Sequence, residues 1–342
     1  MGQQLQVGRS DARRLTKLPR FTLVIIALAL GLGASTALAL IQSPGKPLSL
    51  PVSYEEHRFY VQPVTKDGVT LKFYTDTGGG LFILREVAER LHCSINNVGG
   101  EGANAFYLTS LPAFKPEAAV PLPLSREGRL PVWAPSAKER DTESPDYAGM
   151  LGQEWFAGRV WTFDYPHHQL FMRASGDLPK QDAAHRVTLG FKSDETGKRA
   201  LNFPRIQVTI DGESLDLLFD TGAMTKLSDT ALNALKDQRA AVRATSFITT
   251  SIFEKWRKAH PDWRVIESAD LPLNEPMIEV PAVTLGGYTV GPVWFTRRAD
   301  KNFHEFMSRF MDKRVEGAIG GNALRHFQVT VDYPQAIAIF EK

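Results

Sequence analysis

The chain has 342 residues, 43% of them hydrophobic and 23% charged, with a formal net charge of +2. That is ordinary globular composition, long enough for two domains with cores of their own, and the near-neutral balance gives no electrostatic support for nucleic-acid binding. A lone cysteine, Cys93, excludes an internal disulfide and a cysteine-based metal cluster; it reads as a small, half-buried residue after a helix.

In chain order, a basic N-region (1–20) carrying Arg9, Arg13, Arg14, Lys17 and Arg20 precedes an apolar run over 21–41. A basic flank before such a run keeps the N-terminus cytoplasmic and exports the rest of the chain. Twenty-one residues (21–41) are enough to span a bilayer. Gly31, Gly33, Ser35 and Thr36 weaken the second half of the run, however, and Ala37-Leu38-Ala39 has a cleavage-site pattern. A cleaved signal peptide and a retained anchor both fit. In either case the globular part is expected outside the cytoplasm, periplasmic or secreted, or on the periplasmic face of the inner membrane.

Residues 42–50 read as a linker, 51–175 as one structural unit, 176–184 as a connector and 185–342 as a second unit. Strand patterns dominate both units. In the first, Asp67-Gly68 marks a tight turn, and Leu71 and Phe73 alternate toward "TDTGGG". Leu84, Val87, Ala88 and Leu91 then line one face of a short helix. A Gly-rich stretch (96–110) and a Pro-rich, charged stretch (111–145) follow. In the second, Asp211-Gly212 marks the turn, and Leu215, Leu217 and Phe219 alternate toward "DTGAMT". A helix lined by Ala231, Leu232 and Leu235 comes next, capped by Ser228 or Asp229. Residues 247–267 read as part helix with Ile252, Phe253 and Trp256 clustered, and 280–298 as strand, Gly-Gly turn and strand.

The two units repeat one another. Each aspartate of Asp-Thr-Gly, Asp76 or Asp220, lies nine residues after the Asp of an Asp-Gly turn. Each motif is followed by Gly, two apolar residues and Gly, with Asp-Tyr-Pro twelve residues beyond: Gly152 to Asp164, Gly320 to Asp332. Only the middle spacing differs, 76 residues from Asp76 to Gly152 against 100 from Asp220 to Gly320. A single Asp-Thr-Gly is weak, since Asp and Gly are common turn residues. Matching surroundings with drifted loops are the signature of an internal duplication.

Two copies of one fold can pair about a pseudo-twofold axis, bringing equivalent residues face to face. Asp76 and Asp220 would then share one proton and titrate as a unit. The ionised member could take a proton from a water, and the protonated member could polarise a carbonyl. Such chemistry hydrolyses a peptide bond without metal or cofactor. Gly78 and Gly222 would permit close backbone approach, and Thr77 and Thr221 offer hydroxyls to the opposite loop.

With these motifs the chain resembles the pepsin-like and retropepsin-like aspartic proteases. The resemblance rests on the apolar run, Asp-Thr-Gly, a helix, and the apolar-apolar-Gly element (Met150-Leu151-Gly152 and Ala318-Ile319-Gly320). It implies an all-β fold with a few short helices: a bilobal acid-protease fold of two β-barrel-like lobes about a pseudo-twofold axis. It further implies a monomeric aspartic endopeptidase acting on peptide or protein substrates, with Asp76 and Asp220 catalytic. A β-hairpin flap is also implied, for which Gly99, Gly100 and Tyr107 are the candidates. Gly79 departs from the family, where Ser, Thr or Ala is usual, and leaves a more flexible loop or a missing hydroxyl as expectations. Two alternatives stand beside this reading: a non-catalytic peptide- or protein-binding module of the same fold, and halves that pair with another chain.

Other hydrolase classes lack their motifs, with neither H-E-x-x-H nor G-x-S-x-G in the sequence. His167 and His168 are adjacent and do not share a face, so they read as a solvated turn rather than a metal site. Asp164 and Asp332 read as turn residues.

Overall fold

The computed structural model describes residues 47–135 and 147–342, apart from the side chain of Ala103. The N-region, the apolar run over 21–41 and most of the expected linker lie outside the described residues. Among the described residues, no helix is long and apolar enough to cross a membrane.

The fold is all-β with a few short helices, arranged as two lobes and a sheet common to both. The first lobe is an eight-stranded sheet in the order Val52–Glu55, Arg58–Val61, Phe73–Thr75, Gly149–Leu151, Leu81–Leu84, Leu130–Trp133, Phe106–Thr109, Ile95–Gly99. The second is nine-stranded: Val265–Asp270, Glu275–Val280, Val293–Arg298, Ser246–Thr249, Gly317–Ile319, Glu213–Phe219, Arg205–Ile210, Val283–Leu285, Tyr288–Val290. The common six-stranded sheet runs Leu48–Ser49, Gln169–Arg173, Val160–Asp164, Gln328–Asp332, Ile337–Glu341, Arg186–Thr188. Pairing therefore begins at Leu48, inside the segment read as linker. Arg186–Thr188 joins the common sheet rather than the second lobe's own.

The duplication is visible in the ladders. In the first lobe the strand entering Asp76 pairs parallel with Gly149–Leu151, which pairs antiparallel with Leu81–Leu84, itself parallel to Leu130–Trp133. In the second, Glu213–Phe219, Gly317–Ile319, Ser246–Thr249 and Val293–Arg298 repeat that parallel, antiparallel, parallel order. The axis crosses the common sheet, where Val160–Asp164 and Gln328–Asp332 run antiparallel with Thr162 opposite Thr330. Their hydroxyls meet at 2.8 Å.

The register also shows which helices correspond. The helix Arg85–Arg90 is not the counterpart of Asp229–Leu235. Phe82 and Ile83 occupy the places of Phe247 and Ile248 against the apolar-apolar-Gly strand, so the counterpart is Thr250–Ala259. Leu81 follows Asp76 by 5 residues, whereas Ser246 follows Asp220 by 26. The second lobe thus carries an insertion over about 224–244, which accounts for most of the difference in spacing. It forms the strand pair Met224–Lys226 and Val242–Ala244 and a helix that Ser228 caps by accepting from the Ala231 N–H at 3.2 Å. Ile266, Ala269 and Met277 bury its Leu227 and Ala231 in a small core. Helical and strand periodicity marked these segments correctly, but two equally short amphipathic helices cannot be told apart as equivalents by periodicity alone.

The main core is continuous across both lobes and the common sheet. Trp256 is buried against Phe295, ring centroids 5.4 Å apart, and packs the helix Thr250–Ala259 onto its lobe. The stretch 280–298 is three strands rather than two, broken at Gly291-Pro292, and its last strand leaves to pair with Ser246–Thr249.

Candidate active site

Both Asp-Thr-Gly motifs lie where a strand leaves its sheet beside the apolar-apolar-Gly strand. The Asp76 N–H donates to the Leu151 carbonyl (3.1 Å) and the Asp220 N–H to that of Ile319 (3.0 Å). Two glycines make these crossings possible. A Cβ on Gly152 would strike the carbonyls of Gly79 and Gly80, and one on Gly320 the carbonyl of Thr245.

The loops grip each other through their threonines. The Thr77 hydroxyl donates to the Phe219 carbonyl (2.6 Å) and accepts from the Thr221 N–H (3.0 Å), while the Thr77 N–H donates to the Thr221 hydroxyl (3.1 Å). Both threonines are buried, so these bonds satisfy backbone groups that water cannot reach. Gly78 and Gly222 lie at the contact. A Cβ on Gly78 would come within 2.7 Å of the Asp220 carboxyl carbon, and one on Gly222 would overlap the Asp76 carboxyl carbon.

The grip brings Asp76 and Asp220 together with a hydrogen bond between their carboxyl groups. Each also accepts from its own loop, Asp76 from the Gly78 N–H at 2.8 Å and Asp220 from the Gly222 N–H at 3.1 Å. The side chains are deeply surrounded by protein while their residues keep partial solvent exposure. Burial raises both carboxyls above the ordinary carboxylate range. Asp220 is raised further, by the charge of Asp76 and by donating to it, whereas the hydrogen bond from Asp220 pulls Asp76 back down. Two carboxyls so placed titrate as a unit rather than singly.

Gly79 is a filled position rather than a gap. A Cβ there would lie 2.5 Å from Asp76 Oδ2 and 2.6 Å from Met150 Sδ. Met150 occupies the room a side chain at 79 would need.

The Gly99-Gly100 stretch is the end of a hairpin, Ile95–Gly99 against Phe106–Thr109. Gly100 has φ +72° and sits against the Asn104 carbonyl, where a Cβ would clash. Tyr107 lies opposite Asn97, with the Arg85 guanidinium 4.6 Å from its ring centre. Asp164 and Asp332 bind turn N–H groups, those of His167 (3.1 Å) and Gln335 (2.9 Å). His168 stacks on Tyr54 at 3.9 Å. Cys93 is half-buried after its helix.

Tyr74 belongs to the site and carries no motif. Its buried hydroxyl donates to the Gly222 carbonyl, one residue from Thr221 and two from Asp220. Strand alternation could have found it, because a residue two before Asp76 shares its face. Beside it opens a cavity of about 490 Å³ lined by Tyr54, Arg58, Tyr60, Lys72, Tyr147 and Met224, among others.

No family model matches the sequence, and no curated protein sequence matches it. Among solved structures, the chain is similar in fold to an aspartic proteinase from Irpex lacteus, at 10% identity and a TM-score of 0.46, over 87% of this chain and 97% of that one.

Proposed function

We propose that this chain is an aspartic endopeptidase that hydrolyses peptide bonds with water activated between Asp76 and Asp220. The observation that carries the reading is the pair of buried carboxyls, Asp76 and Asp220, brought together by reciprocal threonine bonds between loops from opposite halves. Water attacking the substrate carbonyl carbon would pass a proton to ionised Asp76, while Asp220 gives its proton to the carbonyl oxygen. A proton then returns to the leaving nitrogen as the C–N bond breaks. No covalent enzyme intermediate forms. One chain supplies both carboxyls, so a monomer suffices. We further propose that the globular part acts outside the cytoplasm, reached through the segment 21–41; its accessibility to added protease in intact cells tests this.

The decisive experiment is cleavage of a peptide library by the purified chain from pH 3 to 8, beside Asp76→Asn and Asp220→Asn. Each substitution should remove at least about 99% of kcat, as loss of an acid–base group does. Substantial cleavage by either variant refutes a single dyad. A folded wild-type protein that cleaves nothing refutes the protease reading and favours a peptide-binding module.

A further inference from the structure

The cavity beside Tyr74 is lined by a buried cation. Arg58 is 4% exposed, yet among the described residues no carboxylate pairs with it. Its guanidinium donates to the Met224 sulfur (3.1 Å) and the Val242 carbonyl (3.3 Å) and lies 5.6 and 5.9 Å from the ring centres of Tyr60 and Tyr74. Among the described residues, its Nε has no hydrogen-bond partner. The two carboxylates lining the same cavity are engaged elsewhere, Glu55 with Lys72 at 2.9 Å and Glu56 with Arg239 at 2.5 Å. A buried guanidinium held by a thioether, one carbonyl and ring faces is costly unless something anionic completes it.

The cavity is also tied to the dyad. Its wall includes Tyr74, whose hydroxyl binds the Gly222 carbonyl, and Met224, two residues beyond Gly222. Same-face side chains of an extended peptide recur about every 7 Å. A peptide with its scissile bond at the carboxyl pair can therefore present a nearby side chain to this cavity.

We propose that Arg58 is a specificity-determining residue, and that the cavity takes an acidic side chain, Glu or Asp, of a peptide substrate within about three residues of the scissile bond. The occupant's carboxylate would accept from the guanidinium, and the tyrosine rings would bound its methylene stem. The inference rests on the protease reading for its position relative to a scissile bond, but the recognition itself is a binding property.

The test is a peptide set in which Glu is replaced by Gln at each position around a cleavage site, assayed with the full chain for cleavage and, separately, for binding by fluorescence anisotropy. One position should favour Glu over Gln by about tenfold or more in kcat/KM or in affinity, as expected for a charge-assisted hydrogen bond. The preference should vanish as pH falls through the ordinary Glu range near 4, and should be kept in part by Arg58→Lys and lost in Arg58→Gln. Cleavage with no Glu preference within three residues would overturn this inference and leave the protease reading intact. Binding preference without cleavage would support the cavity and refute the protease. If Arg58→Gln fails to fold, the wild-type preference and its pH dependence still decide. Glu and Gln peptides that are equal at pH 7 in both binding and kcat/KM overturn the inference whatever the variants do.

Discussion

At the scale of single residues, the two carboxyls are identical in chemistry and unequal in setting. Both are raised by burial, and Asp220 further by the charge of Asp76 beside it. The sign of the consequence for stability is fixed by that direction. A carboxyl whose folded pKa lies above its unfolded value of about 3.9 favours the folded state only while it keeps its proton. That contribution is full below the unfolded value and is lost as pH rises through the raised one. Asp220→Asn removes an ionisation that the fold resists. The variant should therefore melt higher than wild type at pH 7, by roughly 2 °C or more, and the gap should close as pH falls toward 4. A lower melting temperature at pH 7 would mean that the pair stabilises the fold, contrary to the shifts. The same substitution abolishes catalysis in the proposed mechanism, so the fold gives up stability where the chemistry sits.

At the scale of elements, the Asp-Thr-Gly loops, their threonines and the paired glycines were legible because each is a local pattern repeated at fixed spacing. What could not be read was which later segments correspond. The second lobe interposes its insertion between Ala223 and Thr245, where the first lobe passes directly from Gly79 to Gly80. Gly80 and Thr245 play the same part, each presenting a carbonyl to the apolar-apolar-Gly turn. The cue existed in "LFILREVAERL" against "SFITTSIFEKW", which share Phe-Ile and a helical apolar spacing, but an insertion of that length hides it from a fixed-offset comparison. Arg58 was invisible for another reason, since its partners are brought together only by the tertiary fold, whereas strand alternation placed Tyr74 on the face of Asp76. The packing leaves no room for a side chain at Gly79 as the site stands. Gly79→Ser would push its Cβ onto Asp76 and Met150. It should cost about 1–3 kcal/mol in denaturant unfolding, as overpacking does, and lower kcat by displacing the carboxyl. Adding Met150→Ala should return stability and leave activity low, because Asp76 would still be displaced. A gain in activity from Gly79→Ser alone would show instead that a missing hydroxyl limits the site.

At the scale of the whole molecule, the two lobes are joined too closely to unfold apart. Val160–Asp164 and Gln328–Asp332 pair over their full length in the centre of the common sheet, so each lobe completes the other's ladder. Phe163 of the first half meets Phe219 of the second with ring centroids 6.4 Å apart. The turn at Glu56 is tied across by Arg239 and by the Ala244 N–H at 3.1 Å from the Glu56 carbonyl. The threonine grip adds buried bonds whose donors and acceptors belong to opposite lobes. Opening one lobe would strip apolar surface and orphan backbone groups in the other, and the cost of unpaired buried groups exceeds their net worth when paired. Calorimetry of the globular part should therefore give one transition, with calorimetric and van't Hoff enthalpies in agreement, and loss of peptide cleavage should coincide with it. Two resolved transitions would mean that the common sheet parts before the lobes melt. Activity should then vanish at the lower one, because the carboxyl pair exists only while both lobes hold it.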